Sequence, residues 1–348
     1  MTLFRNIFRQ VFSGFLNFPR SIFQIDKSNH LLKTSEPFLE ITKFIEDRRI
    51  ISLDTDTILI RMRWGAWLAV DPRNLDQLVG LVVNREWEPA TTGLIMRNIK
   101  REGSFVNVGT SYGYYAALLP VLGGPISKTY CFEANPYMIP YLLKTCYWTG
   151  VVDQVQIFNR AVSDASESEI TISFMRQFAG GGNASAESKA LKFATTSDTD
   201  WTPYNLKYLE NEQGIINPRI PLYNDYQVKT VVIDDKVPSM RKIDLMKIDI
   251  EGMESRAILG AKNTIKNSKS IIIILENSRD TYKNASLDDQ TKMREAWDFL
   301  SEERFDCFAI IPAQKYEKEV GLRKISSWSE WIDVDHGDFI FSREKFNL

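Results

Sequence analysis

The chain has 348 residues, 43 of them Lys or Arg and 45 Asp or Glu, for a formal net charge of −2. That balance lacks the basic excess of a general nucleic-acid binder, and two histidines, His30 and His336, exclude a histidine-rich metal site. The three cysteines, Cys131, Cys146 and Cys307, are an odd set without metal-ligand spacing. Two of them sit in apolar runs, as buried thiols of a reducing compartment do, so a cytoplasmic protein is expected.

The first residues, "MTLFRNIFRQVFSGFLNFPRS", place Phe4, Ile7, Phe8, Val11, Phe12 and Phe15 at intervals of three and four. Those intervals make one apolar face of a helix. Arg5 and Arg9 interrupt what would be the apolar core of a secretion signal. Two readings stand for this amphipathic helical extension, residues 1–45. Residues 1–20 lie on a membrane surface, peripheral to it, or the helix packs on its own domain or a partner chain. No apolar run nears the ~18 residues of a membrane-spanning helix.

A lead-in of hairpin and helices is expected over 46–100. "TILIRMRWGAWLAV" (57–70) alternates around Gly65 as a hairpin does, and 74–100 read as helical with a break at "EWEP". From 101 to the end, apolar strand-like runs alternate with helical stretches: "SFVNVG", "KTYCFE", "VQIFNR", "DLMKID", "SIIIILE", "FDCFAII" and "DFIFS". Such alternation implies an α/β domain with a mostly parallel sheet and helices on its faces. Residues 174–226 break the rhythm and are expected to be a lid-like, aperiodic insertion.

Ligands of an open α/β sheet bind beyond the carboxyl ends of its strands, so those ends carry the candidates. The first is followed by Gly109, Thr110, Ser111, Tyr112 and Gly113, then a helix. Gly109 permits a tight turn, Gly113 allows a close approach, and the N–H groups at the helix start favour a polar or anionic group. The spacing is not G-x-G-x-x-G, which disfavours a nicotinamide-dependent oxidoreductase. Asn107 stands where such turns often carry a carboxylate. The second strand ends in Glu133, an acid able to accept from both hydroxyls of a ribose. Strand order would set it beside the glycine turn, a pairing that describes an adenosine-containing cofactor.

The fourth run, "IDLMKIDIEGMES", is the densest. Asp249 and Glu251 are two apart and point to one side of extended chain, with Lys247 at the same parity and able to pair with one of them. Gly252 then ends the strand and Glu254 begins a helix. Carboxylates so placed serve as a general base or as oxygen ligands of a divalent cation.

These stretches, with "NRAVSD", "IIIILEN" and the "EWEP" at 86–89, resemble the FkbM-family methyltransferases over about residues 86–280. The resemblance implies a Rossmann-like class I methyltransferase fold with a seven-stranded sheet, and S-adenosyl-L-methionine as cofactor. It places Asn107 and Gly109 to Gly113 by the methionine part, Glu133 by the ribose, Asn159, Arg160 and Ala161 near the adenine, and Asp249 by the sulfonium and the acceptor. The sequence departs from the family pattern at Asn107 (usually Asp), Thr110-Ser111 (usually Ala-Asn) and Pro120 within the following helix. The expected function is O-methylation of a small polar acceptor, a sugar or glycan among the candidates. Asp249 is the expected base, Glu251 its alternative or orienting partner, and Glu276, ending the next strand, a residue that binds the acceptor; no metal is assigned. The rival is a non-catalytic adenosine-cofactor-binding or scaffold protein on the same fold.

Overall fold

In the computed structural model, residues 49–175, 178–185, 224–311, 321–334 and 337–347 are described. The N-terminal extension and most of the expected lid lie outside them. The chain from Ile50 onward forms one unit. It begins with a three-stranded antiparallel sheet, β1 (Ile50–Asp54), β2 (Thr57–Arg61) and β3 (Trp67–Val70). The hairpin turns at Gly65, whose φ of +99° suits a residue without a Cβ. Helices α1 (Leu75–Asn84) and α2 (Pro89–Asn98) follow. They are separated at "EWEP", where Pro89 takes the first helical turn, in which a missing N–H costs nothing.

The main sheet then starts with β4 (Ser104–Val108), α3 (Tyr114–Gly123), β5 (Lys128–Phe132), α4 (Ile139–Thr149) and β6 (Val155–Phe158). Helix α3 continues three residues past Pro120. A second sheet interrupts: β7 (Ala161–Val162), β8 (Glu169–Met175), β9 (Phe178–Ser185) and β10 (Asn224–Val231), in the order β7-β10-β8-β9. Phe178–Ser185, expected to be aperiodic, is therefore strand: its glycines lie in β9, paired with β8. Glycine weakens a strand's local signal, and pairing with β8 overrides it.

The main sheet resumes with β11 (Leu245–Ile248), α5 (Glu254–Leu259), α6 (Lys262–Asn267), β12 (Ile272–Asn277), α7 (Arg279–Asn284) and α8 (Leu287–Glu302). It ends with β13 (Asp306–Ile311), β14 (Gly321–Ile325), α9 (Trp328–Ile332) and β15 (Gly337–Ser342). Strand order is β14-β13-β15-β12-β11-β4-β5-β6. The run from β12 to β6 is parallel, while β15 enters antiparallel between β12 and β13. All seven expected strands are present, and β14 adds an eighth at the edge.

Both faces of this sheet are buried. Val106, Val108, Met246 and Ile248 belong to one apolar cluster, and their alternates Phe105 and Leu245 belong to another. Such runs read as continuously apolar because helices cover each face. Order reverses between β4 and β11, so the crevice beyond their carboxyl ends is the predicted ligand position. Among the described residues no helix is long and apolar enough to cross a membrane.

Candidate active site

A cavity of about 470 Å³ opens at that reversal point, within the usual size of small-molecule sites. The turn after β4 forms its floor. Gly109 lies at φ +77°, and a Cβ there would fall 1.7 Å from the backbone oxygen of Asp249. What approaches this glycine is thus the end of β11. Gly113 is required by its backbone, at φ +93°, and a Cβ there would also press on the end of the Leu142 side chain of α4 at 2.7 Å. Both glycines let the chain close on itself around the cleft. Thr110 and Ser111 line the cavity. Thr110 Oγ1 donates to the carbonyl of Phe132 at 3.1 Å, tying the turn to β5. Tyr112 is nearly buried and its hydroxyl accepts from Asn74 of the lead-in at 2.9 Å.

Glu133 stands beside this turn. Its Oε2 accepts from the N–H of Ser111 at 2.6 Å and its Oε1 from that of Asn135 at 2.8 Å, so one carboxylate joins the turns after β4 and β5. Burial pushes its pKa up, against the pull of these N–H groups. Arg160 and Ala161 also line the cavity. Two expected cofactor residues are placed differently. The Asn159 amide points back, donating to the carbonyls of Glu133 at 2.8 Å and Ala134 at 3.2 Å. Asn107 does not line the cavity: it is 1% exposed, paired in register between Cys131 and Lys247, and neither of its side-chain polar atoms has a partner. Its place along the strand decides this: residue 107 lies within β4 between β5 and β11, short of the carboxyl end where Gly109 and Asp249 border the cavity.

The other end of the cavity is acidic. Asp249, Glu251 and Glu276 each bring a carboxylate oxygen within 4.8 Å of the others. Glu251 reaches this position from a left-handed backbone (φ 56°) followed by Gly252 (φ 106°). Glu254 Oε1 holds the turn, accepting from the N–H of Ile250 at 2.9 Å and of Gly252 at 3.2 Å. Burial raises Glu254 to about 7. Glu276 is pushed up to about 9 by burial and then by the charges of Asp249 and Glu251. Carboxylates this close resist ionising together.

Lys247 is the counter-charge. It is 2% exposed, with its ammonium 2.9 Å from Asp249 Oδ2, 3.2 Å from Glu88 Oε2 and 4.9 Å from the centre of the Tyr115 ring. Burial pulls its pKa down, but Asp249 and Glu88 outweigh that and the net movement is upward, so the side chain stays charged. Glu88 is fixed in turn: Tyr115 donates its hydroxyl to Oε2 at 2.7 Å and Trp87 its ring N–H to Oε1 at 3.0 Å. The sequence expected Lys247 to pair with one of the two acids at its parity, and the structure gives Asp249. The contacts of Glu88, Trp87 and Tyr115 were not legible there; the signal for Trp87 and Glu88 was "EWEP", where an acid precedes the proline that starts α2.

This arrangement can bind an adenosine-containing cofactor along the glycine turn and Glu133, and can accept a proton or hold a divalent cation at Asp249, Glu251 and Glu276. The sequence matches the Methyltransferase FkbM domain over residues 107–307. No curated protein matches it in sequence. Among solved structures, similarity extends to the methyltransferase FkbM from Methylobacillus flagellatus KT (12% identity, TM-score 0.37, 69% of this chain and 44% of that one). The O-methyltransferase from Bacillus cereus in complex with SAH is similar at 14% identity and TM-score 0.36, over 73% and 79% of the two chains. The precorrin-6y C5,15-methyltransferase from Geobacter metallireducens GS-15 is similar at 12% and 0.36, over 75% and 89%.

Proposed function

Because the chain belongs to the FkbM family of S-adenosylmethionine-dependent methyltransferases, we propose that it methylates a hydroxyl oxygen of a small polar acceptor, with carbohydrates the class to test first. The residues present fit the cofactor. The cavity has the volume of a small-molecule site, a ribose-binding acid beside a glycine turn, and acidic groups at the end where a sulfonium would be welcome. The cofactor, when bound, supplies an electrophilic methyl group. Everything else falls to the chain.

Glu133, with Gly109 to Gly113, Arg160 and Ala161, forms the cofactor's side of the cleft, and residues 101–348 carry this machinery. Residues 46–100 add Trp87 and Glu88 to the lining. Methylation of a neutral hydroxyl releases a proton, and Asp249 takes it at its carboxylate. One observation carries that assignment: Asp249 faces the cleft while the buried Lys247 grips its Oδ2 at 2.9 Å, which fixes the side chain at the end of β11. Glu251 orients the acceptor with Glu276, whose retained proton makes it a hydrogen-bond donor at neutral pH.

The test is transfer of label from methyl-labelled S-adenosylmethionine into a metabolite extract, a result a scaffold protein would not give. Asp249→Asn keeps the shape and should lower turnover by roughly 10²–10⁴, the usual share of a positioned proton acceptor. Full activity in that variant would remove Asp249 from the chemistry. A second reading rests on the 4.8 Å spacing of the three carboxylates, which also suits a divalent cation that would bind the hydroxyl. Activity lost with chelator and restored by magnesium would select it.

A further inference from the structure

Methyl transfer accounts for the acidic end of the cavity and Glu133 for its middle. One part of its lining is an apolar group: Ala134, next to Glu133, Ala161 at the start of β7, and Ile170 and Ile172. These four form one apolar cluster with Val228 and Tyr226. Ile170 and Ile172 are two apart on β8, so their side chains share a face, and that face lines the cavity. Strand β8 belongs to the second sheet, so no residue of the main sheet supplies this wall. Its position is set from β7, which starts three residues after β6 of the main sheet ends. Thr230 and Val231 of β10 pair with Ala161 and Val162, directly after the end of β6, and β10 pairs along its length with β8.

A purine ring is flat and poorly hydrated on its faces, and gains most where apolar side chains cover it. This apolar group starts at Ala134, one residue from Glu133, where the base of a ribose held by that acid would lie. We propose that Ile170 and Ile172 of β8 form a wall of the adenine pocket, making the second sheet part of the cofactor site. This rests on the cleft being the cofactor site, and it adds to Arg160 and Ala161 a strand that lies outside the main sheet.

The experiment measures binding, by calorimetry on the full chain, of S-adenosylhomocysteine and of 5′-methylthioadenosine, which keeps the nucleoside and lacks the amino acid. Ile170→Ala, at a partly exposed position, should weaken both ligands by the same factor, about five- to tenfold, from the apolar contact removed. Ile172→Ala should do likewise, and Ile170→Leu should restore most of the affinity. Melting temperatures of the ligand-free variants identify any that fail to fold, and Ile170→Ala is expected to stay close to the parent. Unchanged affinity in folded Ile170→Ala overturns the proposal. So does a loss confined to S-adenosylhomocysteine, which would put β8 at the amino-acid end. A parent that binds neither ligand overturns the cofactor reading of the cleft together with the proposal.

Discussion

Glu254 lies buried beneath the turn that presents Glu251, and its Oε1 alone accepts both N–H bonds of that turn. Glutamine keeps this oxygen and discards the charge. Glu254 has its pKa raised by burial from 4.5 to about 7, with the backbone N–H groups of Ile250 and Gly252 pulling the other way. Below about pH 4.5 the group is protonated in folded and unfolded chains alike and contributes no slope. Between about 4.5 and about 7 the unfolded chain releases a proton that the folded chain keeps, so stability falls as pH rises. Above about 7 the full cost of a buried charge is present. At about 1.4 kcal/mol per pH unit that interval amounts to about 3 kcal/mol. Glu254→Gln should therefore be about 3 kcal/mol more stable than the parent at pH 8 and equal to it at pH 4.5. Urea unfolding at intervals across that range measures the difference. A gap of the same size at both ends would show that the substitution acts through packing and not through the charge.

Lys247→Met should cost about 3–5 kcal/mol in urea unfolding, because it leaves Asp249 and Glu88 without the cation between them; parent-like stability would refute the bridging role. Glu133→Gln replaces an acceptor oxygen with a donor and should weaken S-adenosylhomocysteine about tenfold by calorimetry. Unchanged binding would remove Glu133 from the ribose site.

Local chemistry wrote much of this protein into its sequence. The alternation of apolar runs with helical stretches set the α/β class, and the glycine or acid closing four of the runs, at Gly109, Glu133, Asp249 and Glu276, marked where a ligand would lie. Asp249, Glu251 and Glu276 were legible because strand ends and a period of two are local properties. The parity of Lys247 predicted a pairing with one of these acids for the same reason, and the structure chose Asp249.

Tertiary structure decided the rest, because it concerns groups that chain distance separates. Glu88 meets Lys247 from the turn before α2, and no periodicity connects positions 88 and 247. Gly109 reads as a turn residue in sequence, but what demands it is the carbonyl of Asp249, brought there by the pairing of β4 with β11. Asn107 occupies a motif position yet is buried, since it lies within β4 between two paired strands and short of the strand end where the cavity opens. Strand β8 passes for a connection until β10 pairs with it and with β7, and only that pairing carries Ile170 and Ile172 to the cavity. Sequence specified the chemical groups at the strand ends; which of them face one another was settled by strand order and by the crevice that order opens.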